Sequence, residues 1–271
     1  MMKKILKNLY ISLIYLFFYL PIIILIIYSF NETKSRVVWG GFSLKWYKEL
    51  FESKEVLMSF YNTILIGVVS TLIATIIGTI GSIGLFRAGG RVKKFFMELN
   101  YLPILNPDIV IAVSLVALYN FMKLDFGYLT IILSHVAFLT PYVLFNVMPR
   151  LSMMNPNLYE AALDLGATRW ESFKYVIFPE IKPGILSGAL MAFTLSIDDF
   201  AVSFFTTGKG IQNISITVYS MARRGINPVI NALSTLMFVI MIVLVIVINL
   251  RKNKLEKKKE AMLKMGMGET E

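Results

Sequence analysis

Apolar runs close to the ~20 residues that cross a bilayer recur six times in this chain, near 9–30, 60–86, 95–122, 127–149, 184–206 and 228–250. Runs of that length specify helices, because a helix closes its backbone hydrogen bonds within itself where no water can. With 56% hydrophobic residues and a mean hydropathy of +0.68, the 271 residues leave no room for a large soluble domain. The expected fold class is therefore an all-α polytopic membrane protein, one transmembrane domain over 1–271.

The net charge of +10 could suggest a nucleic-acid partner, but the basic residues are distributed by loop rather than as a patch. Lys3, Lys4 and Lys7, then Arg87, Arg91, Lys93 and Lys94, then Arg150, Arg169, Lys174 and Lys182, then seven more after Asn249 fall in alternate connections and make 18 of the 27 Lys and Arg. The positive-inside rule places those connections, and both termini, in the cytoplasm. The basic start and long apolar run at the N-terminus, without an A-x-A site, read as an uncleaved anchor. The tail 251–271 reads as a charged cytoplasmic run without a site. No cysteine is present, so thiolate metal sites, thiol nucleophiles and disulfides are excluded. The single histidine, His135, lies inside the fourth run and reads as packed or bonded to a neighbouring helix.

The longest polar interruption in the second half, within 150–183, carries ordered-helix signals. Asn155-Pro156 is a helix start, Gly166 suits a helix end, and Thr168-Arg169-Trp170-Glu171 fits a capping box that opens a second helix. Trp170, Phe173 and Ile177 fall on one face of that helix, and Pro179 and Pro183 are expected to stop it. From periodicity alone, an amphipathic helix resting on the headgroups is an equal alternative. The spelling adds to this. Glu160-Ala161-Ala162, three residues, Gly166, and an apolar-x-apolar-Pro ending at Pro179 resemble the EAA loop of ABC-importer permeases, with Val176 and Phe178 in place of isoleucine and leucine. The resemblance implies that Glu160, Ala161, Ala162, Gly166 and Pro179 belong to a coupling helix docked on a cytoplasmic ATPase. It implies that Glu160 faces a basic residue of that partner. No G-x-x-x-x-G-K-[ST] occurs, so this chain should not bind ATP itself, and no cofactor or metal is expected.

Elsewhere, Trp39-Gly40-Gly41-Phe42 reads as a turn, and Ser43 as the cap of a short helix with Leu44, Tyr47 and Phe51 on one face. Trp39, Trp46 and Tyr47 suit a membrane interface. Gly67, Gly78, Gly81 and Gly84 in the second run read as helix-packing positions. Pro103 and Asn106-Pro107-Asp108 interrupt the third run and predict one kinked helix with its break inside the membrane. Asp108 there serves either the new helix N-terminus or a solute pathway. The fifth run holds Asp198-Asp199. An aspartate at a helix centre costs roughly 2.5–3.5 kcal/mol, so the pair needs partners or a wet cavity. Ser196, Asp199, Ser203 and Thr206 share one stripe, which suggests a cavity in the outer half of the membrane where Asp199 and Asp198 attract a cation. A carboxylate paired with a neighbouring helix is the alternative.

Asn106-Pro107-Asp108-Ile109-Val110, Phe193-Thr194-Leu195-Ser196-Ile197-Asp198-Asp199, Thr207-Gly208 and Gly41-Phe42-x3-Trp46-Tyr47, together with the EAA loop, resemble the permeases of spermidine/putrescine uptake over nearly the whole chain. That likeness implies a type I ABC-importer permease, MetI-like, with six transmembrane helices. Its implied partners are a homologous permease in a heterodimer, two ATP-binding subunits and an extracytoplasmic polyamine-binding protein. Rival readings are an ABC permease for another cationic or small organic solute, a secondary transporter using the acids as ion sites, and an intramembrane aspartyl protease. The last lacks the usual Gly-x-Gly-Asp context.

Overall fold

The computed structural model describes residues 2–35, 38–155, 157–225, 227–240, 242, 243 and 246. The tail 251–271, Pro156 and much of the end of the sixth expected run lie outside the described residues. The chain divides into two compact units, one built from 1–54 and 221–271, the other from 55–220.

In the first unit, α1 (Met2–Ser29) is apolar and, from Leu6 on, mostly exposed. A turn follows. Ser43 N–H donates to the Phe30 carbonyl at 2.8 Å and Glu32 N–H to that of Gly41 at 3.0 Å, with Gly41 at φ +120. The short helix α2 (Lys45–Glu52) then begins one residue later than the expected cap, and Ser43 Oγ accepts from Lys45 N–H at 3.1 Å. Its buried face is Trp46 and Leu50, while Leu44 and Phe51 are exposed. Trp46 is therefore not a headgroup anchor. It is 1% exposed, and its indole N–H donates to the Asn31 carbonyl at 2.6 Å, which a buried indole needs. The unit also holds the apolar helix Val229–Ile240, in the sixth expected run.

In the second unit, α3 (Lys54–Arg87), α6 (Tyr128–Met153) and the continuous stretch Arg169–Asp198 are, with α1, the four helices long and apolar enough to cross a membrane among the described residues. The third expected run is two helices, α4 (Gly90–Leu105) and α5 (Asp108–Phe121), bent by 108°. A kink would be shallower. Pro107 forces its predecessor out of helical backbone, and Asn106 sits extended at φ −83, ψ 144, so the axis turns rather than bends.

The polar loop gives α7 (Asn157–Asp164) and α8 (Arg169–Ser172). Here the prolines do not end the second helix. Phe173–Ile177 is a π-helical turn closed by Phe178 N–H to the Phe173 carbonyl, and α9 (Phe178–Asp198) continues directly through Pro179 and Pro183. Pro179 stands in the first turn of α9, where a missing N–H costs least, and the widened turn before it absorbs the ring. The fifth run thus starts before 184 and also breaks: Asp199 is extended, and α10 (Ala201–Thr206) follows, then α11 (Ile214–Arg224).

The core lies between α6 and α9. Gly184 sits against the Asn146 carbonyl and Gly188 against the Val143 backbone, with Leu139, Val143, Val147, Ile181 and Ala192 buried around them. A Cβ at Gly188 would lie 3.0 Å from Val143 Cα, which leaves no room for a side chain. Gly188→Leu should push the two helices apart and cost about 1–3 kcal/mol or more, read as a lower melting temperature and reduced folded yield in detergent.

Candidate functional site

Two features are candidates for chemistry or contact: the hairpin of α7 and α8, and the acidic break between α9 and α10. The hairpin is fixed locally. Asn155 Oδ1 accepts from Asn157 N–H at 3.0 Å and starts α7. Gly166, at φ +87, ends it. Gly166 N–H reaches the Leu163 carbonyl at 2.9 Å and Ala167 N–H the Ala162 carbonyl at 3.0 Å, the bond pattern of a Schellman motif that requires a left-handed residue. The expected capping box forms: Glu171 Oε2 accepts from Thr168 N–H at 2.8 Å, and Thr168 Oγ1 accepts from Glu171 N–H at 3.2 Å.

Glu160, in the first turn of α7, is exposed, as are Ala161 and Gly166, while Ala162 is half-buried. Pro179, at the start of α9, is exposed. At the root of the hairpin, Leu151, Met154, Ile177 and Ile181 are buried in the core, and the Arg87 guanidinium stacks on Tyr159 at 4.9 Å. At its tip the apolar residues stay largely uncovered among the described residues: Leu165 is 89% exposed, Trp170 68%, and Tyr175 is exposed too. Of the expected Trp170–Phe173–Ile177 face, Ile177 is buried, Phe173 is half-buried and Trp170 points away from the core. Large uncovered apolar side chains on a rigidly capped hairpin are what a docking surface for another protein requires.

At the acidic break, the two neighbouring carboxylates part company. Asp198 is the last residue of α9 and is exposed. The Asp199 side chain is 6% exposed. Its Oδ1 accepts from Val202 N–H at 3.2 Å and Oδ2 from Ser203 N–H at 2.7 Å, so it caps α10. Oδ2 also lies 3.5 Å from His135 Nε2 on α6. His135 is fully buried and uses both ring nitrogens, Nδ1 with Ser196 Oγ at 2.7 Å and Nε2 with Ser203 Oγ at 3.0 Å. Asn213 completes the network, donating to Ser203 Oγ at 2.8 Å and the Asp199 carbonyl at 3.4 Å.

The stripe Ser196, Asp199, Ser203 and Thr206 is therefore present, but it closes on α6 rather than opening on a cavity. Thr130 Oγ1 donates to the Thr206 carbonyl at 2.9 Å and extends the same seam. Asp108 is exposed in the first turn of α5. Beside it, Pro103, Asn106, Val110 and Ser114 line a cavity of about 340 Å³ with Phe138 of α6. No three of the acids and the histidine converge on a metal-sized site among the described residues. Sequence reading left Asn213 unmarked and gave His135 no named partner; the signal available was the need of a buried imidazole for partners, and the hydroxyl stripe was the nearest supply.

Comparison with known proteins places these features in a lineage. The family model described as "Binding-protein-dependent transport system inner membrane component" matches residues 71–260. The chain is 34% identical over 240 residues to the spermidine/putrescine transport system permease protein PotC of Escherichia coli (strain K12), covering 89% of this chain and 91% of that one. It is 38% identical over 228 residues to the putrescine transport system permease protein PotI of the same strain, covering 82% and 81%. A solved chain from a bacterial ABC transporter involved in the import of the acidic polysaccharide alginate superposes with a TM-score of 0.74 over 92% of this chain and 95% of that one, at 13% identity. With an all-helical membrane fold, four long apolar helices and a matched stretch of this extent, the chain belongs to the family of binding-protein-dependent transport system inner membrane components.

Proposed function

We propose that this chain is the permease subunit of an ATP-driven importer of polyamines, forming half of the translocation path. The observation that carries the reading is the similarity to PotC across almost the full length of both chains. The similarity to PotI favours the same class of small organic polycation. An ABC permease for another cationic or small organic solute remains the second reading, favoured by the fold neighbour that imports an unrelated solute.

In this reading 150–183 is the cytoplasmic coupling loop, both termini are cytoplasmic, and the exposed tip at Leu165 and Trp170 is the surface offered to a partner ATPase. Glu160, Ala161, Ala162, Gly166 and Pro179 belong to that dock. The partner set is a homologous permease, two ATP-binding subunits and an extracytoplasmic binding protein, the last in keeping with the family's description.

Helical continuity gives the coupling a physical route. From Arg169 to Asp198 the chain is helical for 30 residues, which at ~1.5 Å per residue is about 45 Å. That exceeds the ~30 Å hydrocarbon core, so one unbroken helix can extend from the dock outside the core to the acidic break within it. ATP-driven closure of the ATPases would draw the hairpin and tilt this helix. Asp198, exposed at its end, would then offer a carboxylate to a protonated amine, with Asp108 exposed at the other break. Asp199, buried behind Asp198, holds the start of α10.

Asp198→Asn should reduce spermidine uptake by membrane vesicles about tenfold or more at normal expression, chiefly by raising the half-saturating concentration. Unchanged uptake would remove Asp198 from the path. His135→Ala should instead lower melting temperature and maximal rate together while leaving half-saturation unchanged, because it touches the network and not the solute. Gly166→Val places a β-branched residue at a left-handed φ. It should abolish retention of the ATPase on purification while the membrane core stays folded; full retention would sink the docking assignment.

A further inference from the structure

Of the four glycines expected to pack helices in α3, Gly67 and Gly78 do. A Cβ on Gly78 would lie 2.8 Å from Val143 Cβ, and one on Gly67 3.3 Å from Phe193. Gly81 and Gly84 behave otherwise. Nothing lies within 4 Å of a Cβ at Gly84, and at Gly81 only Leu144 Cδ1 approaches, at 3.9 Å. These two glycines open on a cavity of about 620 Å³. Its far wall is α4, from Val92 through Phe96 to Pro103, and its floor is α6 at Thr140 and Leu144. The side chains facing it are apolar apart from Thr140 and Asn100, and the Asn100 amide is bonded to the Pro141 carbonyl at 3.4 Å.

Length restricts what lies along this groove. From Val92 to Pro103 it runs 11 residues of helix, about 16 Å, close to the ~15 Å depth of one leaflet's hydrocarbon. The lining residues at the mouth, Ala88 and Val92, lie among Arg87, Arg91, Lys93 and Lys94. Arg87 stacks on Tyr159, Lys93 on Phe86 at 5.7 Å, and Lys94 pairs with Glu98 at 3.9 Å, whereas Arg91 is exposed with no polar partner among the described residues. An apolar slot one leaflet deep under a cluster of cations matches an amphiphile with an anionic head.

From this geometry we infer that the groove between α3, α4 and α6 is a binding site for one anionic phospholipid. One acyl chain lies along Gly81 and Gly84, and the phosphate sits at headgroup level beside Arg91. Cations at that level each contribute about 1 kcal/mol to holding an anionic head, about fivefold in affinity. The lipid also fills space that would otherwise leave both glycines facing a void.

The test is native mass spectrometry of the purified transporter complex with dioleoyl phosphatidylglycerol or dioleoyl phosphatidylcholine added. The wild type should retain one phosphatidylglycerol at least fivefold more tightly than phosphatidylcholine, with no displacement by inorganic phosphate. Arg91→Gln should weaken retention about fivefold. Gly84→Leu puts a side chain into the slot from a position where a Cβ meets nothing within 4 Å, and should abolish it at an unchanged melting temperature. If Gly84→Leu protein is not recovered, the Arg91→Gln comparison decides alone. Equal retention of both lipids, undiminished retention in Gly84→Leu or Arg91→Gln, or displacement by phosphate would overturn the site. So would a short cross-link from Gly84→Cys, the sole thiol in a cysteine-free chain, to a neighbouring subunit.

Discussion

Inside a bilayer a backbone N–H or C=O has no water to fall back on, so every interruption of a spanning helix must supply its own partners. Among the described residues three such interruptions stand at 106–108, 173–177 and 198–200, and each is answered. At 106–108, Asn106 N–H returns to the Leu102 carbonyl at 3.1 Å, and Val110 N–H takes the Pro107 carbonyl at 2.9 Å. At 173–177 the ladder shifts by one residue and remains closed. At 198–200 the donors freed at the start of α10 go to the Asp199 carboxylate, and Phe204 N–H goes to the Phe200 carbonyl at 2.8 Å. On the acceptor side, Asn213 donates to the Asp199 carbonyl, and Ser215 Oγ to that of Ile197 at 3.4 Å. The backbone can therefore leave the helix at these places with these freed groups partnered.

The same constraint explains which polar side chains are buried. Ser196 and Ser203 bond His135 across the seam between α6 and the break, Asn213 bonds Ser203, and the Thr206 hydroxyl returns to the Val202 carbonyl within α10, so His135 is the residue that joins both halves. Neither imidazole nitrogen is left over. A buried network of this kind specifies one register of α9 against α6, since a slip by one residue would strand several groups at once. The close approach at Gly184 and Gly188 works in the same direction, because only glycine lets Asn146 and Val143 come so near. Packing and hydrogen bonding thus fix the same pair of helices, the pair that links the hairpin to the acidic break.

What the sequence made legible was local. Gly166, Thr168 with Glu171, and the Asn106-Pro107 break are read from short-range rules, and the structure places each where those rules put it. Apolar periodicity likewise gave the long helices. Misread features depend on position within an element or on distant neighbours. Pro179 and Pro183 looked like stops because a proline in mid-helix is one; Pro179 is tolerated at the first turn of α9, behind a π-turn, while Pro183 lies inside α9 and the helix runs on through it. Trp46 looked like an anchor because its partner, the Asn31 carbonyl, is a backbone group 15 residues away that no composition rule names. Gly81 and Gly84 looked like Gly78 because glycines spaced along a span are identical in sequence whether a helix packs on them or not.

The pair Asp198-Asp199 shows how adjacent identical residues come to differ. Were α9 to continue, the two side chains would stand about 100° apart on one cylinder, and both charges would need answering in the same place. The helix instead ends between them. Asp199 turns extended, at ψ 126, and its carboxylate swings back over the start of α10, where two N–H groups hold it. Asp198 keeps its helical direction and stays exposed. Charge already satisfied by fixed dipoles has little left to give a passing cation, whereas an exposed carboxylate next to a second, immobilised one does. On the proposed pathway, the inner aspartate holds the backbone open so that the outer one can be offered to the solute.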